Sequence, residues 1–159
     1  MGRIFKSRLP PSSMILISHR GNTNGKFESY ENEPNYIDTA IKEGYDVEID
    51  VWYINDLIYL GHDKPQHVVD FKWFIDRIFK LWIHCKNIEA LISFQESEYE
   101  FNFFWHQKDD VTLTSKNYTW AYPGKQPIKN SIAVMPEIHK EDINQCIGIC
   151  SDYIKNYIK

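Results

Sequence analysis

At 159 residues, with 43% hydrophobic and 25% charged side chains, the chain has the composition of one globular domain with room for a core. Its net charge of −4 argues against a nucleic-acid binder whose affinity rests on neutralising phosphates. No apolar run approaches the roughly 20 residues that a membrane-spanning helix needs, and Cys85, Cys146 and Cys150 form no CxxC pair, which suits a reducing cytoplasm better than a disulfide framework.

Residues 1–13 are basic, polar and Pro-containing and lack the apolar stretch of a signal peptide. They read as a disordered leader or expression remnant before a single domain over 14–159, with Met14 a natural start. Met14 to Ser18 is a short apolar run of the kind a buried parallel strand shows, and it stops at His19-Arg20-Gly21. A polar loop follows. Pro34 suits the first turn of a helix, Tyr36, Ile37, Ala40 and Ile41 recur at helical spacing, and Gly44 ends the element. Asp46 to Val51 is the next strand, which makes a βαβ unit with parallel strands and a right-handed crossover.

Strand parity puts Glu48 and Asp50 on one face and Val47, Ile49 and Val51 on the other. Such an acidic pair is commonly the solvated face of an antiparallel sheet. In an internal parallel strand neither face meets water, and two inward carboxylates then call for a cation between them. Oxygen ligands of this type suit Mg²⁺ or Ca²⁺. Asn55-Asp56 is a turn signal before Leu57 to Leu60, so a hairpin would carry His62 back toward His19. Two histidines beside one divalent cation are either ligands or an acid/base pair.

Further along, Asp70 reads as the N-cap of an amphipathic helix through Phe79, and Leu81 to Cys85 as a strand. Asn87 caps a short helix through Phe94, and Phe101 to Trp105 is a strand ending at His106. Val111 to Leu113, Tyr118 to Ala121, Ser131 to Met135 and Ile147 to Cys150 are further strands, with one or two helical turns over 139–145.

His19-Arg20-Gly21, Glu31-Asn32, Glu48-Ile49-Asp50-Val51 and His62-Asp63, in that order and spacing, resemble the opening pattern of the glycerophosphodiester phosphodiesterase family, within the phospholipase-C-like phosphodiesterases. The resemblance is close through residue 63, fair at 81–87 and weaker beyond. It implies a TIM-type barrel with the site at the C-terminal strand ends. It implies His19 and His62 as acid and base, Arg20 as a phosphate ligand, and Glu48 and Asp50 as holders of the cation. The family's third carboxylate sits in an E-x-K pattern; here Lys86 is present, but His84 stands where the glutamate would be. An imidazole can complete the metal site, though it suits Mg²⁺ or Ca²⁺ less well.

Leaving out the hairpin, eight strand candidates match the count of a (β/α)8 barrel, in a chain well short of the roughly 250 residues typical of one. The expected fold is therefore a compact TIM-type barrel with several outer helices shortened or missing, and an uncovered face would favour a homodimer. Lys86, inside a barrel mouth, calls for an anion such as phosphate. Asn32, His106 at a strand end and Glu137 after Pro136 are additional site candidates, Glu137 as a substitute carboxylate. Trp120 and Tyr122 read as an aromatic wall or as packing, His67 and His139 as surface residues, and Asp63 as a group that orients His62.

The expected function is a metal-dependent phosphodiesterase acting on a small glycerophosphodiester-like molecule by histidine acid/base chemistry. Two other readings stay open: a non-catalytic phosphate-binding module on the same scaffold, and a lyase that releases a cyclic phosphate.

Overall fold

The computed structural model describes residues 13–157, so most of the expected leader lies outside the described residues. Ten strands form one curled mixed sheet. Strand β1 (Ile15–His19) lies between β2 (Asp46–Ile54) and β10 (Gly148–Ser151), parallel to both. Helix α1 (Pro34–Lys42) makes the expected crossover from β1 to β2: Pro34 opens it, and the Glu33 carboxylate accepts from the Asn35 and Tyr36 amides.

Strand β2 has two tasks. Its first part pairs on one side with β1 and on the other with β5 (Leu81–Cys85). Its end turns into an antiparallel hairpin with β3 (Leu57–Leu60) through Asn55 and Asp56, both left-handed at φ 50 and 64 as a tight two-residue turn demands. A short strand not foreseen in the sequence, β4 (His67–Val69), extends the hairpin edge. Helix α2 (Phe71–Ile75) starts at its Asp70 cap but stops well short of Phe79. Helix α3 (Ile88–Gln95) is capped by Asn87 as expected.

Beyond β6 (Phe103–Trp105) the architecture departs from expectation. Strand β7 (Val111–Leu113) runs antiparallel to β8 (Thr119–Ala121), and β8 is parallel to β9 (Ser131–Val134), which pairs with β10. The fold is thus not a TIM-type (β/α)8 barrel. Three α-helices accompany the described strands, where a TIM barrel alternates a helix with every strand around a closed parallel ring. The physical reason is chain length. Residues 122–130 connect β8 to β9, fewer than the ten or twelve a helical crossover takes. The helical turns expected over 139–145 do not form either; a single 3-10 turn at Pro136–Ile138 takes up that connection.

The edge strands β6 and β7 are held together by hydrogen bonds. The Ser115 amide donates to the Phe103 carbonyl at 2.8 Å, the Ser115 hydroxyl bonds the Phe103 amide and the Phe101 carbonyl, and Thr112 Oγ1 donates to the Trp105 carbonyl at 2.9 Å. Each sheet face has its own core. Val47, Ile49, Val51 and Ile83 pack outward against Ile37, Ala40, Ala90 and Phe94 of α1 and α3. The concave face carries Ile17, Trp82, Phe104, Trp120, Ile132, Val134 and Cys150. Among the described residues no helix is long and apolar enough to cross a membrane.

Candidate active site

The C-terminal ends of the parallel strands carry the polar residues above the concave apolar floor. Register decides who meets whom. Glu48 pairs with His19 on one side and Trp82 on the other, and Asp50 pairs with His84. In-register residues of parallel strands share a face, so the two carboxylates point inward with both imidazoles. Glu48 is 3% exposed and Asp50 is fully buried, as an internal parallel strand requires.

Asn32 holds Asp50 from both sides. Its side-chain amide donates to Asp50 Oδ2 at 2.9 Å, and its carbonyl oxygen accepts from the Asp50 amide at 2.9 Å. Arg20 Nε lies 3.1 Å from the same Oδ2, while Arg20 Nη1 donates to Glu31 Oε1 at 3.2 Å. His62, delivered by the β2–β3 hairpin, sits with Nε2 3.3 Å from Arg20 Nη2 and Nδ1 3.6 Å from Asp50 Oδ2. A guanidinium can only donate, so His62 Nε2 accepts and the ring proton lies on Nδ1. Asp63 is 93% exposed at its side chain, with Oδ1 3.5 Å from His62 Nε2, and leans on His62 from solvent.

On the opposite side of Arg20, His19 Nδ1 lies 2.7 Å from Asp152 Oδ1, leaving Nε2 to face Glu48 Oε1 at 3.8 Å. Asn22 ties this side together, donating to Asp152 Oδ1 and Glu31 Oε2 and accepting from the Tyr36 hydroxyl. The glycine of His19-Arg20-Gly21 is dictated by backbone and space: Gly21 has φ 98, and an added Cβ would lie 2.5 Å from the Tyr36 ring.

Glu48, Asp50 and His84 each offer a ligand atom within 4.8 Å of the others. His84 Nδ1 is 3.1 Å from Asp50 Oδ1 and 3.9 Å from Glu48 Oε2. Glu48 Oε1 and Asp50 Oδ1 are buried without a hydrogen-bond partner among the described residues. Orphaned buried carboxylate oxygens beside an imidazole are what a divalent cation would satisfy, so these residues fit one. Their charge states are split. Burial, then the charge of Asp50, pushes Glu48 well above the usual carboxylate range. Burial also opposes charge on Asp50, but the His62 imidazole and the Arg20 charge outweigh it and hold that carboxyl well below its ordinary value.

The cleft above has a volume of about 540 Å³ and is lined by His19, Arg20, Glu48, His62, His84, Lys86 and His106, with Trp52, Trp105, Trp120 and Tyr122 as aromatic wall. Lys86 makes no salt bridge with any described residue while lining this cleft. His106 stacks on Tyr122 with ring centroids 3.5 Å apart, and burial pushes it down to about 4, so it is neutral at pH 7. A second cleft, of about 660 Å³, shares His19, Arg20, His62 and Asp63 and opens toward Lys26 and Lys64.

The fold therefore gathers His19, Arg20, Glu48, His62, His84, Lys86 and His106 around one cleft, with Asp50 buried beneath it and Asn32 behind Asp50. Glu137 is elsewhere: its Oε1 accepts from Ser151 at 2.6 Å and Tyr157 at 2.9 Å, and it does not line either cleft. Beyond the E-x-D pair, Glu31 and Asp152 add carboxylates to the site; Asp152 and Asn22 are residues that sequence reasoning did not single out. The signal for Asp152 was its position just past a strand end. Compared with protein-family models, curated proteins and solved structures, the chain matches none.

Proposed function

We propose that the chain is a metal-dependent phosphodiesterase that cleaves a small glycerophosphodiester-like substrate. The observation that supports this best is the convergence of His19, Arg20 and His62 on the cleft above Glu48 and Asp50, two inward carboxylates with orphaned oxygens. Glu48, Asp50 and His84 would hold a divalent cation, whose chemistry is to polarise a non-bridging phosphate oxygen and lower the pKa of a bound nucleophile.

The chain's own residues do the rest. Lys86, free of salt bridges to described residues, and Arg20 offset the charge that grows on the phosphorus oxygens in the transition state. His19, its Nδ1 proton held by Asp152, has Nε2 open to the cleft and takes the proton of the attacking hydroxyl. His62 stands across Arg20, open to both clefts, and once protonated at Nε2 returns a proton to the departing alkoxide. Proton balance is kept when the two imidazoles exchange states between turnovers. The Trp52 indole donates to the Gly61 carbonyl at 2.6 Å, which fixes that wall of the cleft for the alcohol portion of the substrate.

The test is cleavage of glycerophosphodiesters and a chromogenic diester by purified protein with divalent cations present. Turnover that drops by about 10²- to 10⁴-fold in both His19→Ala and His62→Ala is the expected result. Wild type and His19→Ala indistinguishable from buffer would overturn the proposal. Phosphorus NMR of the products separates hydrolysis from release of a cyclic phosphate.

A further inference from the structure

His84 constrains the choice of cation more than the two carboxylates do. His84 Nε2 lies 3.2 Å from the backbone carbonyl of His106. A carbonyl only accepts, so Nε2 carries a proton, and in the neutral ring Nδ1 is left with its lone pair. Nδ1 lies 3.1 Å from Asp50 Oδ1 and 3.9 Å from Glu48 Oε2. One ligand atom from each of Glu48, Asp50 and His84 thus lies within 4.8 Å of the others.

The plain alternative is a doubly protonated His84 in an ion pair with Asp50. The geometry speaks against it. Despite the 3.1 Å approach, Asp50 Oδ1 accepts no hydrogen bond, because the ring nitrogen is not aligned to give one. The ring is held where it is by other contacts: it stacks on Phe104 with centroids 5.1 Å apart and donates to the His106 carbonyl. An imidazole whose far N–H is pinned on a carbonyl while its near nitrogen faces two carboxylates is the arrangement that metal-ligating histidines adopt.

One nitrogen and two carboxylates form a mixed donor set. Oxygen-only sites suit Mg²⁺ and Ca²⁺, which bind imidazole poorly, whereas first-row transition dications gain from it. We propose that His84 makes this buried site select a first-row transition dication, in the order Zn²⁺ above Mn²⁺, over Mg²⁺ and Ca²⁺. The inference rests on the reading of Glu48, Asp50 and His84 as a cation site, and it sets aside Mg²⁺ or Ca²⁺ as the preferred occupant.

The experiment is competitive titration of Zn²⁺, Mn²⁺, Mg²⁺ and Ca²⁺ on the full chain, wild type against His84→Glu, with the fold of each checked by circular dichroism. Wild type should take one Zn²⁺ or Mn²⁺ at least roughly 100-fold more tightly than Mg²⁺, and His84→Glu should cut that preference by roughly 10-fold or more. Pulsed electron paramagnetic resonance of the Mn²⁺-loaded wild type should show coupling to one imidazole nitrogen, lost in His84→Glu while Mn²⁺ still binds. An unchanged preference in His84→Glu, no nitrogen coupling in wild type, or no stoichiometric binding of any of the four ions would each overturn the inference. Should His84→Glu misfold, the nitrogen coupling of wild type decides alone. Diester cleavage is scored separately. Zn²⁺ bound through His84 without turnover sinks only the proposed activity, and turnover with an unchanged metal preference sinks only this inference.

Discussion

His19 Nδ1 and Asp152 Oδ1 lie 2.7 Å apart although 133 positions separate them in the chain. The cause is sheet register: Ser18 is paired with Ser151 across β1 and β10, so the next residue of each strand projects from the same end. The contact makes Asp152 a positioning residue for His19, holding its proton on Nδ1 and its Nε2 toward the cleft. Asp152→Asn should lower kcat on a chromogenic diester by roughly 10²-fold, the lower end of what a positioned acid–base group contributes, with KM little changed. Equal kcat in the variant and wild type would show that the carboxylate does not act through His19.

The same pair makes stability depend on pH. Burial disfavours the charge on Asp152, and the hydrogen bond from His19 outweighs it, with Asn22 and Arg20 helping, so the folded carboxyl sits below its ordinary value. A depressed folded pKa means the unfolded chain takes up the proton first as pH falls. The Asp152 contribution is therefore complete above an unfolded carboxylate value of about 3.9 and is lost as pH drops toward the lower folded value. Urea midpoints measured from pH 6 down to pH 3 should fall less steeply in Asp152→Asn than in wild type.

Asn32 supports a second prediction. It is fully buried, adopts the left-handed conformation at φ 64, and meets both the carboxylate and the amide of Asp50. Asn32→Ala would remove the partner of the buried Asp50 amide and one donor to its carboxylate, and put an alanine where asparagine is better tolerated. The expected cost is about 1–3 kcal/mol, read from urea unfolding monitored by tryptophan fluorescence. Asn32→Asp should cost more, because it places a second carboxylate against Asp50. A midpoint for Asn32→Ala equal to wild type would show that the clamp is idle.

The first half of this architecture was legible because local chemistry writes it directly. Pro34, Gly44, Asp70 and Asn87 mark helix ends, and Asn55-Asp56 marks the hairpin turn. Parity put Glu48 and Asp50 on one face, the reading of an internal parallel strand turned that face away from water, and burial agrees. What the sequence withheld is the non-local part. Strand candidates after residue 106 were read in number, but nothing local says that β7 runs antiparallel or that Ser115 and Thr112 tie it to β6. Asp152 and Asn22 join the site only through the β1–β10 register and the loop after β1, which no spacing rule reaches.

The Ser115 tie can be tested by itself. Its hydroxyl satisfies the Phe103 amide and the Phe101 carbonyl at the place where β6 has no partner strand on that side. Ser115→Ala should cost about 0.5–1.5 kcal/mol, the net worth of an ordinary hydrogen bond, since this corner is open to water. Hydrogen exchange is the sharper readout: the Phe103 amide should exchange faster in the variant while Ile49, in the middle of β2, stays as protected as before. Equal acceleration at both positions would mean that Ser115 matters to the whole sheet and not to this seam.

The three cysteines test the proposed histidine chemistry. Cys85 and Cys150 are buried in strands β5 and β10, and Cys146, 8% exposed, has its thiol against Gln126 Oε1 at 3.1 Å. Burial pushes the Cys85 thiol up to about 12, and it pushes Cys150 well above its usual value as well. At pH 8 a thiol at about 12 is roughly one part in ten thousand thiolate, and the thiolate is the species that reacts. Native protein should therefore resist a chromogenic disulfide reagent at Cys85 and Cys150, with Cys146 the first to react, and all three should titrate in denaturant. Treatment with iodoacetamide under native conditions should leave diester cleavage intact, because none of the three lines the cleft that holds His19 and His62. Inactivation at a rate matching labelling of one buried cysteine would place a thiol in the reaction and displace the histidine mechanism.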